Sequence, residues 1–274
     1  METLRLENKY LLVDIIPELG GRIDSFINKE TKKQWVWKNP KLKNKKVPKG
    51  SNYDINWQGG WEELYPNDAI EIFSWGPGFD HGELWNHEWI VKDLTSNRVD
   101  LKTDDLKSGS QINKLIYLEG KKLITSYNLN ILHKEYYLFK LHIAIPLDYE
   151  LDIKGDFGKI KKVDSQFGNI LKSNEIINFF HLQKNSGKFD FAYVENKKNS
   201  LIISDKKNSI EISYDKDFFE FFWIFQTQGG WYDHNVVVIE PCSNGKKDFS
   251  KAIKEKSIRK GPEKINTFYS VEII

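Results

Sequence analysis

The chain alternates short apolar runs with turn-forming residues along its whole length. Runs of strand length occur at residues 10–16, 22–27, 70–75, 83–91, 114–118, 123–132, 137–147, 175–182, 189–194, 201–204, 210–214, 218–226, 235–239 and 267–273. The alternation is clearest in 123–132, where an extended chain places Leu123, Thr125 and Tyr127 on one face. A period of two is typical of antiparallel sheets with one buried face. The pattern therefore predicts many antiparallel strands.

Helical spacing occurs only near the C-terminal end. Residues 248–256 place Phe249, Ala252 and Ile253 at i, i+3 and i+4, and Gly261 and Pro262 follow. We predict one late surface helix here.

Two charged segments could mark domain boundaries, namely 38–50, which contains Pro40 and Pro48, and 155–165. Strand patterning resumes in the same style after each, so we interpret both as surface loops within a single domain of residues 1–274. A single open sheet of so many strands would expose an apolar face. The predicted fold is an all-β, large antiparallel β-sandwich with little helix.

Composition supports this prediction and excludes several classes of protein. Only four of the 274 residues are alanine and 14% are aromatic, which favours strands over helices. The net charge of +2 does not indicate a nucleic-acid partner. Cys242 is the only cysteine, so no intramolecular disulfide can form and a reducing cytoplasm fits best. We expect no signal peptide, because charged residues interrupt residues 1–12, and no membrane span.

Residues 80–89 form the densest candidate site. If this segment is extended, His81, Glu83 and Trp85 share one face with His87 and Trp89. Indole faces stack on the C–H faces of sugars while imidazole and carboxylate groups bind hydroxyls, which favours a carbohydrate site. A metal site is a rival interpretation, but the spacing matches no zinc signature and we predict no metal. In a third interpretation the tryptophans simply fill the core.

Carboxylates at two further places could carry chemistry. Glu62 and Glu63 are adjacent, so a regular strand points them to opposite faces and they cannot jointly flank one glycosidic bond. One of them faces a site, or both are solvated beside the Gly59–Gly60 turn. Glu240 ends an apolar run, where poor solvation would raise its pKa toward that of a general base. The alternative is a carboxylate that caps the strand end in solvent.

His142 lies on the less apolar face of the run 138–146. Phe139, Leu141 and Ile143 occupy the other face. Because histidine titrates near neutral pH, His142 could act as an acid in a cleft. A structural histidine is the alternative.

These motifs occur in an order that resembles the galactose mutarotase-like superfamily, which includes the aldose 1-epimerases. The resemblance runs from about Pro17 to the final strand. It is carried by the glycine-rich opening Gly20-Gly21-Arg22, Gly60-Trp61-Glu62 followed by Pro66, His81-Gly82-Glu83-Leu84-Trp85, and Gly230-Trp231 leading to Ile239-Glu240-Pro241.

The resemblance implies a β-supersandwich that binds a sugar on a concave face and interconverts its α and β anomers without a cofactor. A glutamate takes the proton of the anomeric hydroxyl while a histidine protonates the ring oxygen, and closure after rotation gives the other anomer. Glu240 matches the family's base, and His81 matches a histidine that contacts the sugar. Arg22 would support the cleft or bind an anionic group.

The acid histidine is where this chain departs from the family pattern. Members closest in style carry the histidine directly before a proline in this strand, where this chain has Ile145 and Pro146. His142 lies three residues earlier, on the opposite face. The acid is therefore His142 on a bulged strand, His181 or His81, or it has been lost.

On these grounds we predict an aldose 1-epimerase acting on a hexose or related sugar. The alternative is a carbohydrate-binding protein or a repurposed sugar-active enzyme of the same fold. The partner would be a small-molecule sugar, with no cofactor, nucleic acid or membrane, and the location cytoplasmic. The predicted catalytic residues are Glu240 and His142, and the predicted substrate-binding residues are His81, Glu83, Trp85, Arg22, Glu62 and Trp231.

Overall fold

Two large antiparallel sheets make up most of the protein. A computed structural model describes residues 1–163, 175 and 179–274, and each sheet has nine strands among these residues. In order across the first sheet, the strands are β1 (Leu4–Glu7), β2 (Leu11–Ile16), β3 (Arg22–Asn28), β4 (Trp61–Leu64), β12 (Lys140–Pro146), β20 (Asn235–Cys242), β19 (Phe221–Gln228), β16 (Lys188–Asn196) and β14 (Phe157–Lys162). In order across the second sheet, they are β15 (His181–Gln183), β13 (Glu150–Lys154), β17 (Ser200–Ser204), β18 (Ser209–Tyr214), β22 (Glu263–Ile273), β10 (Lys122–Ile131), β9 (Gln111–Glu119), β8 (Arg98–Lys102) and β7 (Ile90–Thr95).

Four short strands and three short helical segments complete the described elements. They are the hairpin of β5 (Ile72–Phe73) and β6 (Gly76–Pro77), the pair of β11 (Tyr136–Tyr137) and β21 (Arg259–Lys260), α1 (Tyr53–Asn56), a 3-10 helix (Leu84–Asn86) and α2 (Phe249–Lys254). The side chain of Asp248 caps α2 by accepting a hydrogen bond from the Lys251 amide, which confirms the predicted late helix. Across the described residues, no helix is long and apolar enough to cross a membrane.

The main core lies between the two sheets. One cluster of buried apolar side chains combines Val13 and Ile143 from the first sheet with Leu101, Ile116 and Tyr269 from the second. Strand β10 buries every second residue, as its alternation predicts. The β-sandwich prediction is therefore confirmed.

The middle of the first sheet is buried on both faces. A second apolar cluster, which includes Tyr53, Trp57, Phe191 and Trp223, covers the face that points away from the other sheet. Strands with both faces buried have long apolar runs, as 236–239 in β20 does. This second face carries the candidate site.

Several predicted elements are wrong. The strand predicted at 83–91 begins only at Ile90, because His81 and Gly82 adopt φ of 59° and 74° and turn the chain into the 3-10 helix. The strand predicted at 70–75 is only the short β5–β6 hairpin. The loop predicted at 155–165 contains β14, and its last two residues lie outside the described part of the chain. The strand predicted at 175–182 lies partly outside it, and β15 begins at His181.

Candidate functional site

Three titratable side chains lie in a row across adjacent strands of the first sheet. The register of β12 with β4 pairs His142 with Glu62. Strand β20 pairs with the other edge of β12, and Ile143 lies opposite Ile239. Because the strands are antiparallel, His142, one residue before Ile143, lies opposite Glu240, one residue after Ile239. Since these positions share one face, the row Glu62–His142–Glu240 lies on the face that carries the second apolar cluster.

A pocket of about 200 Å³ opens above this row. Its aromatic walls are Tyr53, Trp57, Phe189, Phe191, Phe225 and Trp231. Its titratable lining residues are Asp54, Asp68, His81, Lys140, His142, Glu240 and Lys247. Flat apolar walls around a few convergent polar groups are typical of small-molecule sites, and sugars match both features.

Lys140 joins two carboxylates at the floor of this pocket. Its Nζ lies 2.5 Å from Glu240 Oε2 and also donates to Asp68 Oδ2, and all three side chains are buried. Burial would raise the pKa of Asp68, but the charge of Lys140 outweighs it and lowers that pKa to about 2. Burial raises the pKa of Glu240, although Lys140 opposes this shift.

The second oxygen of Glu240 and the far nitrogen of His142 both reach the pocket. Among the described residues neither Glu240 Oε1 nor His142 Nε2 has a hydrogen-bond partner, and neither atom is sealed from solvent. Burial lowers the pKa of His142 well below its usual value, and the charges of Lys140 and His81 lower it further. The site thus presents to one ligand a carboxylate oxygen and an imidazole nitrogen that no other described residue bonds.

Glu62 is bonded behind His142 rather than exposed to the pocket. Tyr53 donates its hydroxyl hydrogen to Glu62 Oε1, and the Tyr53 oxygen lies 3.3 Å from His142 Nδ1. Burial raises the pKa of Glu62 to about 7, although the charge of Arg22 opposes this shift. Its neighbour Glu63 points the other way, toward Lys114 in the main core, as adjacent strand positions require.

His81 reaches the pocket from the loop between β6 and the 3-10 helix. Its ring stacks on Tyr53 with centroids 4.0 Å apart, and its Nδ1 lies 2.8 Å from Asp80 Oδ1. Burial would lower the pKa of His81, but Asp68 and Asp80 outweigh it and raise that pKa. A protonated His81 would bind an oxygen of a ligand.

The shared face predicted for residues 81–89 does not exist, because the segment is not extended. Of its five proposed members only His81 lines the pocket. Glu83 is buried elsewhere and accepts a hydrogen bond from the Lys107 amide. Trp85 packs its edge against Tyr53, one layer behind the pocket, and Trp89 belongs to the main core. Direct sugar contact by Glu83 and Trp85 is therefore a prediction that the geometry does not favour.

The remaining predicted residues differ in their distance from the pocket. Trp231 forms part of its wall. Arg22 is buried behind it and donates to Asp24 Oδ1 and Asn44 Oδ1. The glycine motif of 59–60 makes room for this side chain, since a Cβ on Gly60, at φ 104°, would lie 2.7 Å from Arg22 Cδ. Arg22 does not line the pocket, and support of the cleft, one of the two roles predicted for it, stays a prediction.

Neither His181 nor the position before Pro146 places an acid at the pocket. His181 lies on the second sheet, exposed and paired with Asp152, so it is remote from the pocket. Ile145, at the position before Pro146, belongs to the main core on the opposite face from His142. In the described part of the chain, no three His, Cys, Asp or Glu side chains converge as a group that could hold a metal ion.

Comparison with known proteins adds information about the fold. A family model described as a domain of unknown function (DUF5107) matches residues 1–66. No curated protein matches the chain significantly. A solved galactose mutarotase related enzyme from Lactobacillus acidophilus is 14% identical over 100% of this chain and 97% of that one, with a TM-score of 0.72.

Two further solved structures agree with it. A galactose mutarotase-like protein from Lactobacillus casei is 12% identical over 100% of both chains, with a TM-score of 0.71. Another, from Clostridium acetobutylicum, is 16% identical over 98% of this chain and 94% of that one, with a TM-score of 0.67. The chain has the galactose mutarotase-like fold.

Within this galactose mutarotase-like fold, the pocket contains residues that were not predicted from the sequence, among them Lys140, Asp68 and Tyr53. Lys140 lies two residues from His142 on β12, so the two side chains point to the same face. The sequence pattern alone could therefore have indicated Lys140. Asp68 follows Tyr65-Pro66, and Tyr53 precedes the glycine motif by six residues, so neither position carries a periodic signal. Asp68 and Tyr53 are brought to the pocket by loops and α1, which strand patterning does not locate.

Proposed function

We propose that this protein is an aldose 1-epimerase acting on a monosaccharide in the pocket above the Glu62–His142–Glu240 row. The observation that carries the proposal is the placement, on adjacent strands, of a Glu240 carboxylate oxygen and a His142 ring nitrogen that have no hydrogen-bond partner among the described residues. Anomerisation requires one group that takes a proton and one that gives a proton, at two oxygens bonded to the same carbon.

In this reaction Glu240 Oε1 takes the proton from the anomeric hydroxyl while His142 Nε2 delivers a proton to the ring oxygen. The C1–O5 bond breaks, the aldehyde rotates about C1–C2, and ring closure reverses both proton transfers. Lys140 favours the ionised form of buried Glu240, because its ammonium group contacts the other carboxylate oxygen. Neither step needs a cofactor.

The size of the pocket supports a single sugar ring as the substrate. Its volume of about 200 Å³ is below the roughly 300–1,000 Å³ of drug-sized sites, which favours one sugar ring over a polymer. The indoles of Trp57 and Trp231 provide apolar surfaces for the C–H face of the ring, and Asp68 and His81 provide polar groups for its hydroxyls. A cytoplasmic location remains a prediction, based on the single cysteine.

Sugar binding without epimerisation is the second candidate function. The observation that favours it is the ion pair of Lys140 with Glu240, because an engaged carboxylate is a weaker base. This candidate predicts saturable binding with no catalysed change of anomer.

Mutarotation of freshly dissolved sugars distinguishes the two candidates. Polarimetry or NMR would follow α-D-glucose, α-D-galactose and their 6-phosphates with and without protein, and ligand-observed NMR would measure binding. Acceleration well above the buffer rate supports the epimerase. Saturable binding without acceleration supports the binding protein, and neither effect in a folded sample contradicts both.

His142→Asn is expected to lower catalysed turnover at least about a hundredfold, the low end of general acid contributions. Asparagine keeps a polar group near Tyr53 but cannot exchange a proton at the position of Nε2. His181→Asn is the matched control, since it changes a histidine of the other sheet. A full rate in His142→Asn would move the acid role to His81.

Trp231→Ala is expected to raise KM about fivefold with kcat nearly unchanged, because loss of an aromatic contact worth about 1 kcal/mol weakens binding of the ground state and of the transition state alike. Steady-state mutarotation kinetics would measure both constants. Trp75→Ala is the control, since Trp75 stacks on Phe73 and does not line the pocket. A drop in kcat at constant KM would contradict a purely binding role for Trp231.

A further inference from the structure

Three buried groups form a continuous hydrogen-bonded chain that ends at the pocket. Glu62 Oε1 accepts from the Tyr53 hydroxyl, and the Tyr53 oxygen lies 3.3 Å from His142 Nδ1. All three side chains are buried. The other imidazole nitrogen, Nε2, faces the pocket. A proton that enters one end of such a chain can leave at the other if each member passes on one hydrogen.

His142 cannot readily serve as the acid by becoming an imidazolium. It is buried, and Lys140 and His81 place positive charge on its pocket side. These two effects lower the pKa of His142 well below its usual value. Near neutral pH its ring is therefore neutral, and it carries one hydrogen on either Nδ1 or Nε2.

We infer that Glu62 supplies the proton that reaches the sugar ring oxygen, passing it through Tyr53 and a change of tautomer at His142. The inference rests on the proposed function and deepens it. Glu62 and Tyr53 are positioning residues in this scheme, because they act on the sugar only through His142. Glu240 remains the base on the other side of His142 in the row.

The proton balance requires no imidazolium. The hydrogen bond from Tyr53 to Glu62 corresponds to ionised Glu62, the state after ring opening. Before ring opening the direction is reversed: protonated Glu62 donates to the Tyr53 oxygen, Tyr53 donates to His142 Nδ1, and Nε2 carries hydrogen toward the ring oxygen. As the C1–O5 bond breaks, its electron pair forms the new O5–H bond with the Nε2 hydrogen. The Tyr53 hydrogen moves to Nδ1, and the Glu62 hydrogen moves to the Tyr53 oxygen. Glu62 ends ionised, while Glu240 holds the proton of the anomeric hydroxyl.

The surroundings of Glu62 suit a group that gains and loses a proton in each turnover. Burial raises the pKa of Glu62 to about 7, with Glu63 acting in the same direction. Arg22 on β3, Tyr53 on α1 and His81 from its loop favour the ionised form, and so does Lys114 on β9. These opposing influences keep both forms accessible at neutral pH, which is the condition for an efficient acid and base.

The first test is the pH dependence of mutarotation in the wild type, Tyr53→Phe and Glu62→Gln. In the wild type kcat/KM should fall on the alkaline side near pH 7, because Glu62 must hold a proton to start ring opening. Tyr53→Phe interrupts the chain and Glu62→Gln cannot exchange a proton, so each should lose about a hundredfold in kcat with KM little changed. Each should also lose the alkaline limb that Glu62 imposes.

Tyr137→Phe is the matched control. Tyr137 is another buried tyrosine whose hydroxyl donates to a carboxylate, that of Glu263, and it does not line the pocket. Its variant should keep the wild-type rate and profile. An alkaline limb that persists unchanged in Tyr53→Phe or Glu62→Gln would overturn the inference.

The second test does not depend on activity. Nitrogen-15 NMR of the His142 ring distinguishes hydrogen on Nδ1 from hydrogen on Nε2. In the wild type the Nε2–H tautomer should give way to the Nδ1–H tautomer as the pH rises through the titration of Glu62, and Tyr53→Phe should abolish this change. A single tautomer across that range, or an imidazolium that forms near neutral pH, would overturn the inference.

The two readouts separate failure of the inference from failure of the proposed function. A tautomer change without mutarotation supports the chain from Glu62 to His142 and contradicts the epimerase. Mutarotation without a tautomer change supports the epimerase and overturns the inference.

Discussion

Glu240→Gln is expected to abolish catalysed mutarotation and to leave the fold intact. Glutamine has nearly the shape of glutamate and can still accept from Lys140, but it cannot take a proton from the anomeric hydroxyl. Lys140 also keeps its ion pair with Asp68, so no buried charge is left without a partner. We expect the rate to fall by about two to four orders of magnitude, the range of general base contributions.

Polarimetry with α-D-galactose or the best sugar of the panel would measure the loss, and circular dichroism would check the fold. Glu220→Gln is the matched control, because it removes the same charge from an exposed position beside β19. Undiminished turnover in folded Glu240→Gln would exclude Glu240 as the base. A binding protein would instead show saturable sugar binding in Glu220→Gln and no turnover in either variant.

The strand pattern predicted which side chains of a strand point to the same face of the sheet. His142 faces the pocket and Ile145 faces the main core, as their odd separation along one strand requires. For the same reason Glu62 and Glu63 point to opposite sides of β4. These predictions succeeded because a residue's side of a sheet depends on its own strand alone.

Parity failed where the chain leaves the sheet. The segment from His81 onward has the composition of a half-buried strand, but two successive residues with positive φ bend it away. A Cβ at residue 82 would lie 2.3 Å from the Tyr65 carbonyl oxygen, so the bend depends on a close approach to a distant residue. The alternation of polar and apolar residues does not depend on that contact and could not predict it. The shared face predicted from His81 to Trp89 was therefore wrong.

The Lys140 ion pairs were beyond prediction for a different reason. Lys140 lies 72 residues from Asp68 and 100 residues from Glu240 along the sequence. Each residue alone is an ordinary charged residue in the sequence. The adjacency of β12 and β20 in the sheet brings Lys140 and Glu240 together, and the loop after β4 brings Asp68 to them.

Lys140→Met is expected to lower the free energy of unfolding by about 3–5 kcal/mol, the cost of breaking a buried ion pair from one side. Methionine fills much of the space of the lysine chain, so packing changes little. Asp68 and Glu240 are left as two buried carboxylates with no ammonium between them. Urea denaturation at neutral pH would measure the loss.

The effect of Asp68→Asn on stability tests whether buried charge explains the loss in Lys140→Met. In the wild type, Asp68→Asn removes a partner of Lys140 and should destabilise. In the Lys140→Met background it removes an uncompensated buried charge and should stabilise. If Asp68→Asn destabilises both backgrounds, lost packing rather than buried charge explains the effect of Lys140→Met.

The pH dependence of stability should change sign as well. In the wild type the pKa of Asp68, about 2, lies below its unfolded value of 3.8, so its contribution is present above 3.8 and is lost as the pH falls. Without Lys140, burial and the repulsion between the two carboxylates should raise the folded pKa of Asp68 and Glu240 above their unfolded values, although His81 opposes both shifts and Lys247 opposes that of Asp68. The folded state then binds more protons, and stability is lost as the pH rises. Lys140→Met should therefore be more stable at about pH 5 than at about pH 8. Equal stability of this variant at both pH values would show that solvent reaches the carboxylates of Asp68 and Glu240.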